Sequence, residues 1–388
     1  MSSQGEHIRL ETKGRRSGKA HSVLLRFLTY DGGIVVFPVN DSRQDWVANI
    51  LANPEVRVYG EGKIIEGKAS VKRVRSVSDP LLGAFTRKYG NDVVRSRYWG
   101  QMDYVEIRPT SNGISSSYDE LVYGDLEAAF DGVAEEYDKH IFGNPVNVWL
   151  RNRSLELLGK VFRLGDTILE IGCGTGTETL ALARKGVRVL ASDISSKMLR
   201  VLQRKARAAG LEKLVVPVHS RPYELREKLA ELGYRSVDGA YSTYGAINTE
   251  PRLRDLFRGL HSLLLPKGKL ILGVWNRYCM YEILGYTVKL NPSMASARFN
   301  NPVPVGKSRF CVASNAYSVG ELSEIIAPYF RFEKAYGVGI FLPPSNLTNY
   351  LPREPVLGLV KRMDVALESH FPWNRLGDHF LAVYSRLG

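Results

Sequence analysis

Hydrophobic and polar positions alternate along the first hundred residues in short runs separated by turn residues. Alternation with a period of two predicts β-strands, because successive side chains of a strand point to opposite faces. Asp31-Gly32-Gly33 separates two of these runs and is typical of a hairpin turn. Many short strands beside only two helix-like segments, Trp46–Ala52 and Ser78–Tyr89, favour a small β-barrel. The predicted strands are His21–Thr29, Gly33–Pro38, Val56–Tyr59, Lys63–Val74 and Met102–Arg108.

Near residue 115 the pattern changes, and strand-like and helix-like segments alternate from there on. Residues 110–118 are rich in serine and glycine and predict a linker, so we expect domains at 1–113 and 119–388. The alternation predicts an α/β fold with a parallel sheet and helices on both faces. The predicted strands are Thr167–Ile171, Arg188–Ser192, Leu214–Val218, Val237–Ser242 and Lys269–Trp275, and the predicted helices include Leu126–Tyr137, Val146–Leu158 and Lys197–Ala209.

Composition and length agree with a folded two-domain protein. The 388 residues are 44% hydrophobic and 24% charged, as in soluble globular proteins. No apolar run approaches the length of a membrane span and the N-terminus lacks a signal-peptide core, so we expect a cytoplasmic protein without a transmembrane segment. Three scattered cysteines, Cys173, Cys279 and Cys311, are too few for a disulfide framework or a zinc site, and no metal is predicted.

The formal net charge of +13 leaves three kinds of partner open: nucleic acid, an anionic membrane surface or an acidic ligand. Lysine and arginine are spread over the whole chain, with no long basic tract and no aromatic pattern typical of single-strand binding. Nucleic acid is therefore an unfavoured partner that the charge does not exclude.

A glycine-rich turn follows the first strand of the α/β region, in the sequence Ile-Leu-Glu-Ile-Gly-Cys-Gly-Thr-Gly at 168–176. Its glycines allow a ligand to approach the backbone where a Cβ would collide. Asp193 ends the next strand, where a carboxylate can accept hydrogen bonds from a ribose. The spacing Gly172-x-Gly174-x-Gly176 differs from the Gly-x-Gly-x-x-Gly fingerprint of NAD-binding proteins, although an NAD site remains the alternative.

With Glu170 two residues before the first glycine, this pattern resembles motif I of class I S-adenosylmethionine (AdoMet) methyltransferases. The resemblance covers about residues 125–388. It implies that Glu170 holds the methionine ammonium, that the glycine turn passes under the methionine and ribose, and that Asp193 binds the ribose. The AdoMet-binding residues that it implies are Glu170, Gly172, Cys173, Gly174, Gly176, Asp193, Ile194, Met198, Ser220, Arg221, Ser242 and Tyr137.

The same resemblance places the methyl acceptor beside the strand that ends at Ser242. Ser242 and Asn248 are short polar side chains suited to an acceptor oxygen, and His219 is a candidate general base. A segment at about 277–345 is predicted as a cap insertion. Its Tyr and Phe residues suit a small apolar or aromatic acceptor, and an ordinary subdomain core explains them equally well. The aromatic and methionine residues of this segment are Tyr278, Met280, Tyr281, Tyr286, Phe299 and Phe310.

In the N-terminal region, a basic loop is bounded by two glycines and precedes a helix with the pattern Trp46-x-x-Asn49. Together they resemble the split β-barrel of deazaflavin-dependent nitroreductases and their FMN-binding relatives, over about residues 8–109. The resemblance implies an FMN or deazaflavin phosphate on the loop, with the Trp helix near the ring system, and a homodimer through the barrel. The implied residues are Gly14, Arg15, Arg16, Ser17, Gly18, Lys19 and Trp46.

Two features depart from that family. Val23-Leu24-Leu25 replaces a proline that family members often have after the loop, and 40–43 replace a small or glycine-rich turn. The expected fold is therefore an N-terminal FMN-binding-like split barrel followed by a Rossmann-like, doubly wound methyltransferase domain with a cap insertion.

The favoured function is AdoMet-dependent methylation of a small acceptor, fused to a flavin- or deazaflavin-binding reductase-like barrel. Reduction and methylation of one metabolite, such as a quinone, polyketide or lipid precursor, is the corresponding hypothesis. The alternative is a nucleic-acid- or protein-directed methyltransferase whose barrel is a cofactor-free binding or dimerisation module. A cofactor sensor without turnover is a third hypothesis.

Overall fold

The structure is a computed structural model that describes residues 7–38, 44–60, 63–74, 80–90, 94, 103–110, 115–299 and 314–388. The described residues divide into two compact units, those up to 129 and those from 130 onwards. The division falls inside a helix that begins at Ser115, within the segment predicted as a linker, and four residues of that segment, 111–114, lie outside the described residues. Leu121 of this helix packs in the core of the first unit.

The first unit is a closed six-stranded antiparallel barrel in the order β1-β2-β3-β6-β5-β4. Alternate residues point inward along β1, where Ile8, Leu10 and Thr12 are buried, which is the period expected of a strand. This first strand was not among the sequence-predicted strands. The elements are β1 His7–Lys13, β2 Ala20–Tyr30, β3 Gly33–Val36, α1 Asp45–Ala52, β4 Glu55–Gly60, β5 Lys63–Arg73, α2 Pro80–Tyr89, β6 Asp103–Pro109 and α3 Ser115–Asp131.

The second unit is a seven-stranded sheet in the order β12-β13-β11-β10-β7-β8-β9. Strands β7 to β11 are parallel, and β13 runs antiparallel between β11 and β12. The strands are β7 Thr167–Ile171, β8 Arg188–Asp193, β9 Val215–His219, β10 Val237–Ser242, β11 Leu264–Trp275, β12 Phe330–Val338 and β13 His379–Arg386. The doubly wound, Rossmann-like fold and the N-terminal barrel predicted from the sequence are both confirmed.

Helices cover both faces of this sheet, and each face has its own apolar cluster. Helix α10 is a clear case, since Leu253, Leu256, Phe257 and Leu260 recur at helical spacing and are buried. The helices are α4 Tyr137–Phe142, α5 Pro145–Leu158, α6 Thr177–Ala183, α7 Ser196–Ala208, α8 Leu225–Glu231, α9 Ala246–Thr249, α10 Leu253–Leu263, α11 Met280–Val288, α12 Pro292–Ala295, α13 Val319–Ile326 and α14 Val356–Leu367. Short 3-10 turns lie at 222–224, 297–299, 345–350 and 373–375.

Two predicted boundaries differ from the structure. The single helix expected at Leu126–Tyr137 is interrupted, because α3 ends at Asp131 and α4 starts at Tyr137 after a turn that includes Gly132. The predicted cap at 277–345 contains α13 and β12, which belong to the sheet domain itself. Within the described part of the chain, no helix is long and apolar enough to cross a bilayer, and no cluster of His, Cys, Asp or Glu side chains could hold a metal.

Candidate active site

The loop from Gly172 to Gly176 joins β7 to α6 at the carboxyl edge of the parallel strands. Its three glycines have φ angles of 72°, 53° and 81°, in the left-handed region that favours glycine. The amides of Gly172 and Cys173 both donate to the carbonyl of Ser192 at 2.9 Å, which fixes the loop against β8. The loop conformation is therefore set by the backbone.

The space around the loop differs between its glycines. A Cβ on Gly172 would lie 2.4 Å from the Cβ of Ala246, so this position has no room for a side chain. At Gly174, only Tyr137 would come within reach of a Cβ, at 3.8 Å. The backbone at Gly174 can thus be approached closely by a ligand, as the glycine pattern predicts.

Asp193, at the end of β8, organises the same loop. One carboxylate oxygen accepts the Gly174 amide at 2.7 Å, and the other accepts the Ser195 amide at 2.8 Å. Burial raises the pKa of Asp193 to about 6, although these two amides favour the ionised form. A carboxylate beside an open glycine backbone is suited to accept ribose hydroxyls.

Glu170 lies on β7 just before the loop and is buried, with the hydroxyl of Thr179 donating to its carboxylate. Burial and the neighbouring Glu178 raise the pKa of Glu170 to about 8. Arg151 forms a buried ion pair with Glu178, at 2.5 Å. Of the three carboxyl groups next to the loop, Glu178 is thus neutralised by Arg151 and Glu170 keeps its proton at neutral pH, whereas Asp193 is the ionised one.

The segment before α5 is held to the glycine loop and to α7 by polar contacts. Asp131 accepts the Ser195 hydroxyl at 2.6 Å. Asp138 accepts the Thr175 hydroxyl and pairs with Lys205 at 2.7 Å. Apolar contacts join the same surfaces in one small cluster, formed by Phe130, Val133, Ala134, Tyr137, Met198 and Val201. The predicted Tyr137 thus packs beside the loop.

The predicted adenine-side residues, and His219, the predicted candidate general base, lie where β8 and β9 end. Met198 is buried and Ile194 is half-buried. His219 pairs with Asp193 in the sheet register, and its Nε2 is 2.9 Å from the carbonyl oxygen of Ile194. Ser220 donates to the carbonyl of Arg221 at 2.8 Å. The structure therefore groups these five residues with Asp193.

The predicted acceptor residues Ser242 and Asn248 are buried and hydrogen-bonded to the backbone. The Ser242 hydroxyl donates to the carbonyl of Ile171 at 2.9 Å. The Asn248 amide donates to the carbonyls of Trp275 and Asn315 and accepts the Trp275 amide at 2.9 Å. These contacts join β10 to β7 and α9 to β11, and they leave both side chains enclosed.

Sequence reasoning missed Tyr244, which follows β10 with a φ of 54° and precedes Gly245 at 107°. The Tyr244 hydroxyl lies 2.5 Å from that of Ser154, and the Arg151 guanidinium lies 4.9 Å from its ring centre. The signal available in the sequence was a tyrosine followed by a glycine directly after a buried strand. The structure adds the positive φ of Tyr244, which is uncommon for a residue other than glycine and clusters at functional sites.

An apolar groove of about 450 Å³ lies on α11 and α12, in the predicted cap. Of the aromatic residues predicted there, Phe299 lines the groove, whereas Phe310 lies outside the described residues. Its other lining residues are Ile283, Thr287, Leu290, Asn291, Pro292, Ala295 and Ser296.

In the barrel, the basic loop after β1 is tied to α1. The backbone amide of Arg15 donates to the Asn49 carboxamide at 3.1 Å, and its guanidinium pairs with Asp45 at 2.9 Å. A Cβ on Gly14 would lie 2.7 Å from the exposed His21 side chain, and Trp46 is buried. The exposed loop residues are Arg15, Arg16, Ser17, Gly18 and Lys19. The turn at 40–43 lies outside the described residues.

Two family matches agree with this division of the chain. Residues 168–268 match a family described as "Methyltransferase domain", and residues 2–80 match one described as "F420H(2)-dependent quinone reductase". Together with the fold and the glycine loop, these matches define a protein in which an F420H2-dependent reductase-like barrel is followed along the chain by an AdoMet-type methyltransferase domain. The interpretation from the sequence is confirmed at this level.

Similar proteins place the chain more narrowly. It is 30% identical over 53% of its length to the uncharacterised protein MJ1252 of Methanocaldococcus jannaschii and covers 76% of that protein. The chain belongs to the same family as MJ1252.

Two further relatives match shorter stretches of the chain. The S-adenosyl-L-methionine-dependent Diels-Alderase iccD of Talaromyces variabilis is 31% identical over 33% of this chain. A Ubiquinone biosynthesis O-methyltransferase of Xanthomonas euvesicatoria is 28% identical over 34% of it. The chain spans about half or less of these two relatives, 43% and 51% of their lengths.

Proposed function

We propose that the C-terminal domain transfers a methyl group from AdoMet to a small acceptor. The observation that carries this proposal is the glycine loop at the sheet edge, with an approachable backbone at Gly174, the carboxylate of Asp193 on the loop amides and the buried carboxyl group of Glu170 just before the loop. A sulfonium ion with an ammonium group suits this acidic crevice. AdoMet supplies an activated methyl group when bound, so the protein contributes mainly the placement of the acceptor.

Each residue of the crevice has a defined part in this proposal. Asp193 holds the ribose hydroxyls. Glu170, whose carboxyl group accepts the Thr179 hydroxyl, stabilises the ammonium directly or through water. Tyr137 closes over the methionine part from the segment that Asp138 fixes to the loop. The adenine side is formed by Ile194, Met198, His219, Ser220 and Arg221. Ser242 and Asn248 hold the strand ends in register beside the acceptor.

We further propose that the barrel binds a deazaflavin of the F420 type or FMN on the loop Gly14–Lys19. Arg16 and Lys19 are exposed, and Gly18 adds a turn with φ of 65°, a combination suited to a phosphate. A reduced deazaflavin supplies a hydride when bound. We expect the barrel to form a homodimer, which light scattering of the purified chain would test.

The two domains fit consecutive reactions on a quinone. A quinone oxygen carries no proton and is a poor methyl acceptor, whereas two-electron reduction creates two hydroxyl groups. The family description of the barrel names quinone reduction, and one relative of the second domain is an O-methyltransferase. We therefore propose that the acceptor is a quinol or a related phenol.

The experiment must measure methyl transfer as well as AdoMet binding, because the relative iccD is named as a Diels-Alderase. Calorimetry should show AdoMet or its demethylated product binding to the full chain. Isotope-labelled AdoMet, incubated with F420H2 and a naphthoquinone, should yield a labelled methyl ether. Absence of binding at millimolar AdoMet would overturn the proposal, and binding without any labelled product would remove methyl transfer to quinols.

A macromolecular substrate is the second candidate, which the net charge of +13 leaves open. It predicts association with RNA or DNA that weakens steeply with salt, since each neutralised phosphate releases counterions. Arg151 and Arg298 are buried in ion pairs and cannot contribute to such a surface. Filter binding between 50 and 300 mM salt would separate the two candidates.

A further inference from the structure

An aspartate–histidine pair outside the predicted site lies at the same edge of the sheet. His379 is the first residue of β13 and pairs with Trp275, the last residue of β11. Because β13 runs antiparallel to β11, its first residue lies at the carboxyl ends of the parallel strands. The Gly172 loop and Asp193 lie at that edge too.

The pair has the geometry of an oriented imidazole. Nδ1 of His379 lies 3.1 Å from a carboxylate oxygen of Asp378. Burial opposes ionisation of Asp378, but Arg298, at 2.6 Å, and His379 hold its pKa below the usual range. Arg298 is itself paired with Glu282 at 2.7 Å. A carboxylate that stays ionised favours the tautomer in which Nδ1 carries the proton and Nε2 has a free lone pair.

Side-chain contacts connect the imidazole to the helix that follows the glycine loop. Among the described residues, no hydrogen bond to His379 Nε2 is present, and the ring meets Tyr244 edge-on, with ring centres 5.5 Å apart. Tyr244 lies beneath Arg151, which pairs with Glu178 in the first turn of α6. The charged and titratable groups facing His379 are therefore Asp378, with Arg298 behind it, and Tyr244.

We propose that His379 is the general base of the methyl transfer and that Asp378 is its positioning residue. The inference rests on the proposed function and narrows its substrate class to acceptors with an ionisable hydroxyl. The acceptor oxygen forms a bond to the methyl carbon while the carbon–sulfur bond breaks and its electron pair stays on sulfur. The hydroxyl proton passes to His379 Nε2 and then to water, leaving a methyl ether and S-adenosylhomocysteine.

The sharpest variant is His379→Asn. Its amide can donate to Asp378 in place of Nδ1, while nothing replaces Nε2. With 1,4-naphthohydroquinone as the probe, we expect single-turnover transfer from labelled AdoMet to fall by about 100–10,000-fold, the usual range for loss of a general base. The rise of the rate with pH should disappear, and AdoMet affinity should stay within about twofold. His370→Asn, at an exposed histidine, is the matched control and should change nothing.

A measurement on the protein alone completes the test. In the sinefungin complex at pH 8, ¹⁵N NMR of the imidazole should show His379 protonated at Nδ1 and bare at Nε2. Asp378→Asn should lose this tautomer preference and shift the pH–rate profile. A proton on Nε2, or wild-type turnover by His379→Asn, would overturn the inference. Failure of the wild-type chain to bind AdoMet would instead overturn the proposed function. If AdoMet binds and the quinol is not methylated, the tautomer of His379 in the sinefungin complex still tests the inference: a proton on Nδ1 supports it, and a proton on Nε2 overturns it.

Discussion

The two glycine-bounded loops of this protein differ in how their chemistry is held. The loop Gly172–Gly176 is fixed by backbone hydrogen bonds and by a buried carboxylate at Asp193, so its site exists before any ligand arrives. The loop Gly14–Lys19 is exposed, and its ion pair joins Arg15 to an Asp45 side chain that is 89% exposed. Exposed pairs of this kind contribute little stability. Burial therefore holds the first loop in the shape of a binding site. The second loop would bind a ligand mainly through its exposed charged side chains.

Replacing one glycine of each loop by alanine should give the largest difference between the two loops. Gly172→Ala combines a positive φ with a 2.4 Å clash, and we expect its domain to lose about 2–5 kcal/mol and its AdoMet binding. Gly18→Ala has a similar φ but open space around it, and should cost about 1–2 kcal/mol. Scanning calorimetry would measure both, and equal losses would contradict the comparison.

Removing the carboxylate of Asp193 should have the next largest effect. Asp193→Ala removes both the group that would accept the ribose hydroxyls and the partner of the Gly174 amide. Losing these charged hydrogen bonds should cost roughly 3 kcal/mol of binding free energy, so we expect AdoMet affinity to fall about 100-fold. Asp238→Ala, an exposed carboxylate at the opposite end of β10, is the control. Titration calorimetry that found the same affinity in both variants would remove Asp193 from the site.

One carboxyl group in each unit should contribute to stability with the opposite dependence on pH. The native pKa of Glu170, about 8, is above its unfolded value, so the native state keeps a proton that the unfolded state loses, and stability falls as pH rises from about 4.5 to 8. In the barrel, Lys72 and Arg108 overcome the effect of burial and lower the pKa of Glu106, so its stabilising contribution is lost as pH falls.

Glu170→Gln isolates this difference. The variant should remove a decline of roughly 1–3 kcal/mol in the stability of the methyltransferase domain between pH 5 and 8, because the amide does not ionise. Melting curves at several pH values would show it, with Glu231→Gln, an exposed position, as control. A variant that declines with pH as steeply as the wild type would show that Glu170 does not titrate in this range.

The smallest effect should come from the exposed loop. Arg16→Ala or Lys19→Ala should weaken F420 binding by about 3–10-fold and make it less sensitive to salt, since a single exposed charge is screened. Arg57→Ala, elsewhere on the barrel surface, should change neither F420 nor AdoMet binding. Fluorescence titration of F420 would measure this. Unchanged affinity in both loop variants would place the deazaflavin elsewhere or nowhere on the barrel.

Local patterns predicted much of the fold because they report on local geometry. The run of apolar residues before Gly172 predicted β7, and Asp31-Gly32-Gly33 predicted the hairpin between β2 and β3. The first strand was missed since its alternation is short and leads into a basic loop. Residues 115–118, which begin the helix at 115–131, were predicted as part of a linker because they are serine-rich, and the same helix places Leu121 in the barrel core.

The sequence by itself determined the two domain types and the glycine–acid pattern of the crevice, because these depend on residues near one another in the chain. Only the tertiary structure decided that Ser242 and Asn248 are enclosed by backbone partners, and that Arg151, Tyr244 and His379 meet at the sheet edge. Those three residues come from a helix, the end of one strand and the start of another. Long-range packing brings them together, and no local pattern encodes such contacts.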